Sequence, residues 1–244
     1  VGGLHPTVSS EEVLLEKGID YVCLGEGELA FAEFLNQLSR SKTPNGIKNI
    51  RGKGQPKPQL FAPFEPIDEL PFMARDLLNE QYGVVHMTTQ RGCPFPCSYC
   101  AARMYNEMYG NSEYGRRRSI DNVMTELRYI QANGLLSYII FLDDTFTINH
   151  KWVREFCKVY KKEFALPFSL HARAETINQK MLGELADAGC VHITFGVESG
   201  SPRLRREVMK RTVSNQRLID AFRWSQEAGI ITTANYILAT PTET

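Results

Sequence analysis

Downstream of Gly83 the apolar positions fall into five short runs, separated by longer stretches in which they recur every three or four residues. The runs are VVHMTT (84–89), SYIIFL (137–142), FSLHAR (168–173), VHITFGV (191–197) and TTANYIL (232–238). Their length and their β-branched and aromatic content predict strands. The intervening stretches predict amphipathic helices, three of which carry their own punctuation. SIDNVMTELRYIQANG has a cap at Ser119 and a stop at Gly134, INQKMLGELADAG stops at Gly189, and SNQRLIDAFRWSQEAG has a cap at Ser214 and a stop at Gly229. Strands separated by helices pair in parallel through right-handed crossovers. Five in succession predict an α/β fold built as a barrel or partial barrel, with a doubly wound sheet as the alternative. In either architecture chemistry collects at the carboxyl ends of the strands.

Upstream, residues 11–41 read as helix (EEVLLEKG, with Gly18 as its stop), short strand (IDYVCLG) and helix (ELAFAEFLNQLSR), the closing unit of an α/β layer. Residues 42–66 are rich in Pro, Gly and Lys with little periodicity, which suits a connector or strap. The expected division is therefore 1–41, a linker at 42–80, and 81–244. The chain opens VGGLHPT without a methionine and stops at PTET after a strand-like run, which predicts a fragment cut at both ends.

Composition narrows the partners. Among 244 residues, 28 Lys plus Arg balance 28 Asp plus Glu, so no broad basic surface invites nucleic acid or anionic lipid, and small molecules are the expected ligands. No apolar run approaches the roughly 20 residues that span a bilayer, and no charged leader opens the chain. A cytoplasmic protein is expected, and the cysteines agree: Cys23, Cys157 and Cys190 are scattered through apolar surroundings as small buried hydrophobes, while the other three crowd into one loop. Arg116, Arg117 and Arg118 read as a solvated turn.

That loop is TTQRGCPFPCSYCAA, 88–102. Cys93, Cys97 and Cys100 stand at i, i+4 and i+7, the spacing of a buried helix stripe. Pro94 and Pro96 exclude the stripe, since each pushes its predecessor out of the helical region. Three thiols on a loop after a strand suit a metal centre, yet a structural zinc needs a fourth ligand and no Cys or His pair at zinc-knuckle spacing follows. No fourth cysteine lies near enough in sequence for a ferredoxin site, although a distant one is open.

CPFPCSYC resembles the CxxxCxxC motif of the radical S-adenosylmethionine superfamily, including the aromatic Tyr99 before the third cysteine. The resemblance implies that the three thiolates bind three irons of a 4Fe-4S cluster, and that S-adenosylmethionine chelates the fourth through its amino and carboxylate groups. It implies cleavage of the sulfonium to methionine and a 5'-deoxyadenosyl radical, with no catalytic side chain beyond cluster and cosubstrate. For the methionyl amino group it points to Asp143 or Asp144, which the sequence does not separate and which could equally be capping residues. Arg173 could meet the methionyl carboxylate or form an ordinary ion pair, and His171 lies on the same strand. GVESGS (196–201) resembles the stretch that contacts ribose hydroxyls, with Glu198 and Ser199 as candidates. The fifth strand departs from the pattern: relatives commonly end it GxPGET, whereas ATPTET has Ala239 and Thr242 at the glycine positions.

GGLHPT, IDYVCLGEGE and PIDELPF resemble the branch in which a cobalamin-binding domain precedes the radical domain. On that likeness 1–41 is the end of a Rossmann-like cobalamin domain, and Gly2, Gly3, His5, Gly25, Glu26, Gly27 and Glu28 are remnants of the cobalamin site. GEGE taken alone is only a turn. The branch implies methyl transfer to a small molecule, or its radical rearrangement or cyclisation, with electrons from a reductant such as flavodoxin or ferredoxin. Two alternatives stand beside it: a non-catalytic iron-sulfur or metal module with four protein ligands, and a tRNA methylthiotransferase-like enzyme, which the neutral charge disfavours.

Overall fold

The computed structural model describes residues 1–40, 42–78, 81–110 and 115–243. Ser41, Glu80 and Thr244, at which the expected domain limits fall, lie outside the described residues. The chain divides into two compact units, Val1–Glu65 with Glu107–Glu113, and Pro66–Asn106 with Tyr114–Thr244.

In the first unit α1 (Leu4–Val8), α2 (Ser10–Leu15), β1 (Tyr21–Cys23), α3 (Glu28–Ser39) and β2 (Ile50–Gly52) follow in order. β1 and β2 pair antiparallel. The connector-like segment therefore supplies a strand that its composition hid, and a polar residue ties it in. Asn49, fully buried, donates from Nδ2 to the carbonyls of Leu24 (2.8 Å) and Glu26 (2.9 Å) and accepts from the Phe61 amide (2.6 Å). A side-chain amide that satisfies three backbone groups can hold an irregular segment that apolar periodicity does not. Around it, Val13, Leu14, Val22 and Leu24 form one small core and Ala30, Ile47 and Ile50 another.

The second unit contains β3 (Val84–Met87), β4 (Gln90–Arg91), α4 (Ala101–Met108, whose last two residues belong to the first unit), β5 (Arg116–Arg117), α5 (Ile120–Asn133), β6 (Tyr138–Phe141), α6 (His150–Glu163), β7 (Phe168–Ala172), α7 (Gln179–Ala188), β8 (Cys190–Glu198), α8 (Asn215–Glu227) and β9 (Ile231–Tyr236). The five expected strands form one sheet in the order β3-β6-β7-β8-β9, with every neighbour parallel. The caps act where the sequence put them: Ser119 Oγ accepts from the Asn122 amide and Ser214 Oγ from the Arg217 amide, each at 3.1 Å. Gly189 closes α7 at a φ of 109°.

Side-chain alternation decides between the two expected architectures. Ile139 and Phe141, Phe168 and Leu170, and Ile193, Phe195 and Val197 are all buried, packed with Val123, Leu127, Phe156, Leu182, Leu185 and Ala221 of the helices in one core. The residues between them, among them Ser169, His171, Thr194 and Gly196, present a polar opposite face. A doubly wound sheet is apolar on both faces and reverses its strand order; this one does neither, and is a partial parallel barrel. Among the described residues no helix is long and apolar enough to cross a membrane.

Beyond β9, Ala239 (φ 58°) and Thr242 (φ 67°) both adopt left-handed backbone. Both are positions where the resemblance leads one to expect glycine, and both hold a backbone that glycine adopts freely. Left-handed geometry costs an L-residue about 1–2 kcal/mol, and glycine's greater freedom in the unfolded chain returns part of this, so Ala239→Gly should stabilise the chain by about 0.5–1 kcal/mol. The check is a higher denaturant midpoint at unchanged m-value.

Candidate functional site

The cysteine loop begins where β3 ends, and a buried carboxylate fixes that point. Asp143 Oδ1 accepts from the amides of Thr89 (2.6 Å) and Gln90 (2.9 Å), and Oδ2 accepts from Thr89 Oγ1 (2.7 Å). Burial still raises its pKa, with these hydrogen bonds and Arg117 pulling the other way. The arginines read as a solvated turn are instead built into this support. Arg116 is buried; Arg117 donates to Gln90 Oε1 and to the Phe146 carbonyl (3.0 Å) and lies 4.5 Å over the Trp152 ring. Burial pushes its pKa down to about 10, against the pull of Asp143. Arg118 donates to the Thr88 carbonyl (3.0 Å) and to the buried Glu126 (2.6 Å). Pairing of β4 with β5 brings these cations to the loop, a long-range contact that no local pattern encodes.

From Gly92 to Cys100 the backbone is loop and turn, and α4 starts only at Ala101, as the prolines require. Cys93 and Cys97 are buried and Cys100 is exposed, and all three line a cavity of about 270 Å³ at the strand ends. Asn106 Nδ2 holds the Cys93 carbonyl at 2.8 Å. Arg173 donates to Cys97 Sγ at 3.0 Å and to Glu175 at 2.6 Å, with its guanidinium 3.8 Å over Phe95. Burial raises the pKa of the Cys93 thiol, and partial desolvation by the cavity wall raises that of Cys100, so loading with iron must release protons. The sulfurs share a cavity without converging on one point. Among the described residues no three His, Cys, Asp or Glu side chains could hold a single metal ion, and a cluster that distributes its thiolates over several irons needs no such point. Three soft donors, one beside a guanidinium, fit that group.

Strand parity sorts the other candidates. Asp144, Arg173 and Glu198 line the cavity, as do Tyr99 and His171. Asp143 and Ser199 lie outside its lining: Asp143 shares the parity of Ile139 and Phe141, and Ser199 that of Phe195 and Val197, the face turned to the helices. Ser199 Oγ accepts from the Ser201 amide at 3.2 Å. Burial raises the pKa of Asp144, with His171 pulling it down. Glu198 stands at φ 68°, a strained backbone for a residue other than glycine, beside an irregularity in the β8–β9 register.

Arg211 joins this set without any signal in its surroundings, LRREVMKRTVS, where one arginine among several has no periodicity to mark it. Its side chain is 2% exposed and lines the cavity. Nη1 donates to Glu198 (3.1 Å) and Tyr99 Oη (3.2 Å), and Nη2 is 3.6 Å from Glu175. Its Nε and Nη2, together with Arg173 Nε and Glu175 Oε2, have no hydrogen-bond partner. Buried, unsatisfied donors on a cation are suited to an anionic ligand.

The first unit has its own cavity, of about 650 Å³. Gly2, Gly3, Gly25, Gly27 and Glu28 line it, with Cys23, Phe31 and Phe34. His5 and Glu26 are not in the lining; Glu26 accepts from the Phe64 amide (2.9 Å), and its own amide donates to Tyr109 Oη (2.9 Å). Gly25 has a φ of 71°, and a Cβ there would come within 2.1 Å of that hydroxyl, so only glycine fits.

A family profile described as the Radical SAM superfamily matches residues 87–244. An uncharacterized methyltransferase of Pyrococcus horikoshii is 31% identical over 260 residues, covering 100% of this chain and 54% of that protein. The anaerobic magnesium-protoporphyrin IX monomethyl ester cyclase of Rubrivivax gelatinosus is 25% identical over 262 residues, covering 100% of this chain and 46% of that one. The chain spans about half the length of the curated relatives it matches. The solved structure of the cobalamin-dependent S-adenosylmethionine radical enzyme OxsB, with aqua-cobalamin and S-adenosylmethionine bound, aligns with a TM-score of 0.80 at 21% identity, over 98% of this chain and 36% of that one. At that identity the likeness is one of fold.

The two neighbouring aspartates should behave oppositely in denaturation experiments. Asp143→Ala leaves three donors at the base of the loop without an acceptor and should cost about 3 kcal/mol or more. Asp144→Asn should stabilise the unliganded chain at pH 7, because a folded-state pKa above the unfolded value makes the ionised carboxylate a burden there. That gain should shrink as pH falls through the carboxylate range, where the wild-type group takes up its proton.

Proposed function

Because the chain belongs to the radical S-adenosylmethionine superfamily, we propose that it binds a 4Fe-4S cluster through Cys93, Cys97 and Cys100 and uses it, with S-adenosylmethionine, to methylate or to rearrange or cyclise a small molecule. The observation that carries the reading is the meeting, in one cavity at the strand ends, of three cysteines with a buried arginine that has unsatisfied donors. When bound, the cluster supplies the electron that cleaves the sulfonium, chemistry that belongs to the cofactor. The chain's own residues bind and orient. Asp144 receives the methionyl ammonium, and Glu198 accepts from the ribose hydroxyls. Arg211 takes the methionyl carboxylate, a role for which the sequence offers Arg173. The reason is hydrogen-bond capacity: Arg173 spends both Nη atoms on Cys97 and Glu175 and keeps only Nε, while Arg211 has both Nε and Nη2 to spare.

The first unit's cavity, walled by Gly2, Gly3, Gly25, Gly27 and Glu28, is read as part of a cobalamin site. Support comes from the fold shared with a cobalamin-dependent enzyme and from the match to a methyltransferase and a cyclase along the whole of this chain. Electrons would come from a flavodoxin or ferredoxin in the cytoplasm, the compartment to which the cysteine usage points.

Anaerobic reconstitution should give a brown protein that forms 5'-deoxyadenosine or S-adenosylhomocysteine under reduction. Arg211→Met should retain its iron while the KM for S-adenosylmethionine rises about 10- to 100-fold, the loss of charge-assisted hydrogen bonds. Iron content unaffected by Cys97→Ala would overturn the assignment.

A further inference from the structure

Among the described residues Arg205 is the largest fully buried side chain, and none of its hydrogen-bond partners there is a carboxylate. Nη1 donates to the Ser199 carbonyl (2.5 Å), Nε and Nη2 to the Val213 carbonyl (3.3 and 3.2 Å), and Nη2 also to Asn215 Oδ1. The guanidinium thereby ties the two ends of the segment 199–213 to each other through the interior. An apolar side chain of equal volume would fill the space and leave those carbonyls unpaired.

Within the tied segment the chain makes a π-helical turn, Leu204–Val208, closed by the Met209 amide on the Leu204 carbonyl (2.9 Å). Such turns leave backbone groups free for other partners. Two are used at once: Ser98, between Cys97 and Tyr99, donates its amide to the Met209 carbonyl (3.1 Å) and its hydroxyl to the Val208 carbonyl (2.6 Å). Two residues further on, the Arg211 amide donates to the carbonyl of Arg205 itself (2.7 Å), and the Arg211 side chain returns to Tyr99 and Glu198. The segment thus grips the cysteine loop with one set of atoms and aims Arg211 with the next.

We propose that Arg205 is a positioning residue for the encounter of cluster and S-adenosylmethionine: by closing the 199–213 bracket it fixes the cysteine loop at Ser98 and the carboxylate-binding Arg211 in one geometry. The proposal rests on the functional reading above. Arg205 touches neither cofactor; it sets the distance between the groups that do. Its loss should leave the three thiols able to load iron and should weaken the response of the loaded cluster to S-adenosylmethionine.

The test follows the electron paramagnetic resonance spectrum of the reduced, reconstituted cluster as S-adenosylmethionine is titrated in. Arg205→Met should bind iron as the wild type does while half-saturation of the spectral change rises about tenfold, the effect of misplacing one charge-assisted contact, and Arg205→Lys should recover part of it. A folded, iron-replete Arg205→Met with half-saturation within about twofold of wild type would overturn the proposal. Should Arg205→Met not fold, Ser98→Ala decides: it deletes only the hydroxyl bond to Val208, and half-saturation about threefold higher supports the bracket whereas an unchanged value overturns it. A wild-type spectrum indifferent to S-adenosylmethionine would remove the functional reading and this proposal with it.

Discussion

Three donors on one buried carboxylate set the geometry from which the rest of the site follows. Asp143 holds Thr89 and Gln90 against the end of β6, so the cysteine loop leaves the sheet at a fixed point and its thiols arrive beside the ends of the next strands. The arrangement is costly to assemble, since a carboxylate, Arg117 and Glu126 are all withdrawn from water. Its return is local rigidity. A loop containing two prolines has no helix or ladder of its own to hold it, and hydrogen bonds at its base, at Cys93 and at Ser98 supply what secondary structure elsewhere provides.

The partial barrel was legible in the sequence because its sheet is apolar on one face: Phe141, Leu170, Ile193 and Phe195 recur at the period of a strand, and capped helices lie between them. The same alternation held an unread message. Counting parity outward from Phe141 places Leu142 and Asp144 on the cavity side and Asp143 on the other, and counting from Phe195 separates Glu198 from Ser199. What parity does not reach is the irregular backbone. Arg205 lies on a π-helical turn and Arg211 on the irregular backbone just after it, Arg117 reaches the site through a two-residue ladder, and β2 is held by the side chain of Asn49. Each depends on side-chain contacts outside any period, and composition alone made Arg116, Arg117 and Arg118 look like solvated charge.

The division of labour between the aspartates and between the arginines has one physical logic. A group saturated by protein partners shapes the site, and a group left with spare hydrogen-bonding capacity meets the ligand. Asp143, with three donors on its two oxygens, belongs to the first kind; Asp144 and Arg211, which line the cavity, are the groups proposed for the second. Substrate discrimination needs surfaces beyond those that bind cluster and cosubstrate, and the curated relatives extend to about twice the length of this chain.

The central claim is that three cysteines leave one iron without a protein ligand and that S-adenosylmethionine takes the position. The direct measurement is electron-nuclear double resonance on the reduced cluster with S-adenosylmethionine carrying 15N in its amino group. Ligation by Cys93, Cys97 and Cys100 alone predicts a 15N coupling of the size given by a nitrogen bonded to iron, absent from a sample prepared with unlabelled cosubstrate. A bound cosubstrate without that coupling, on a cluster held by four protein ligands, would contradict it.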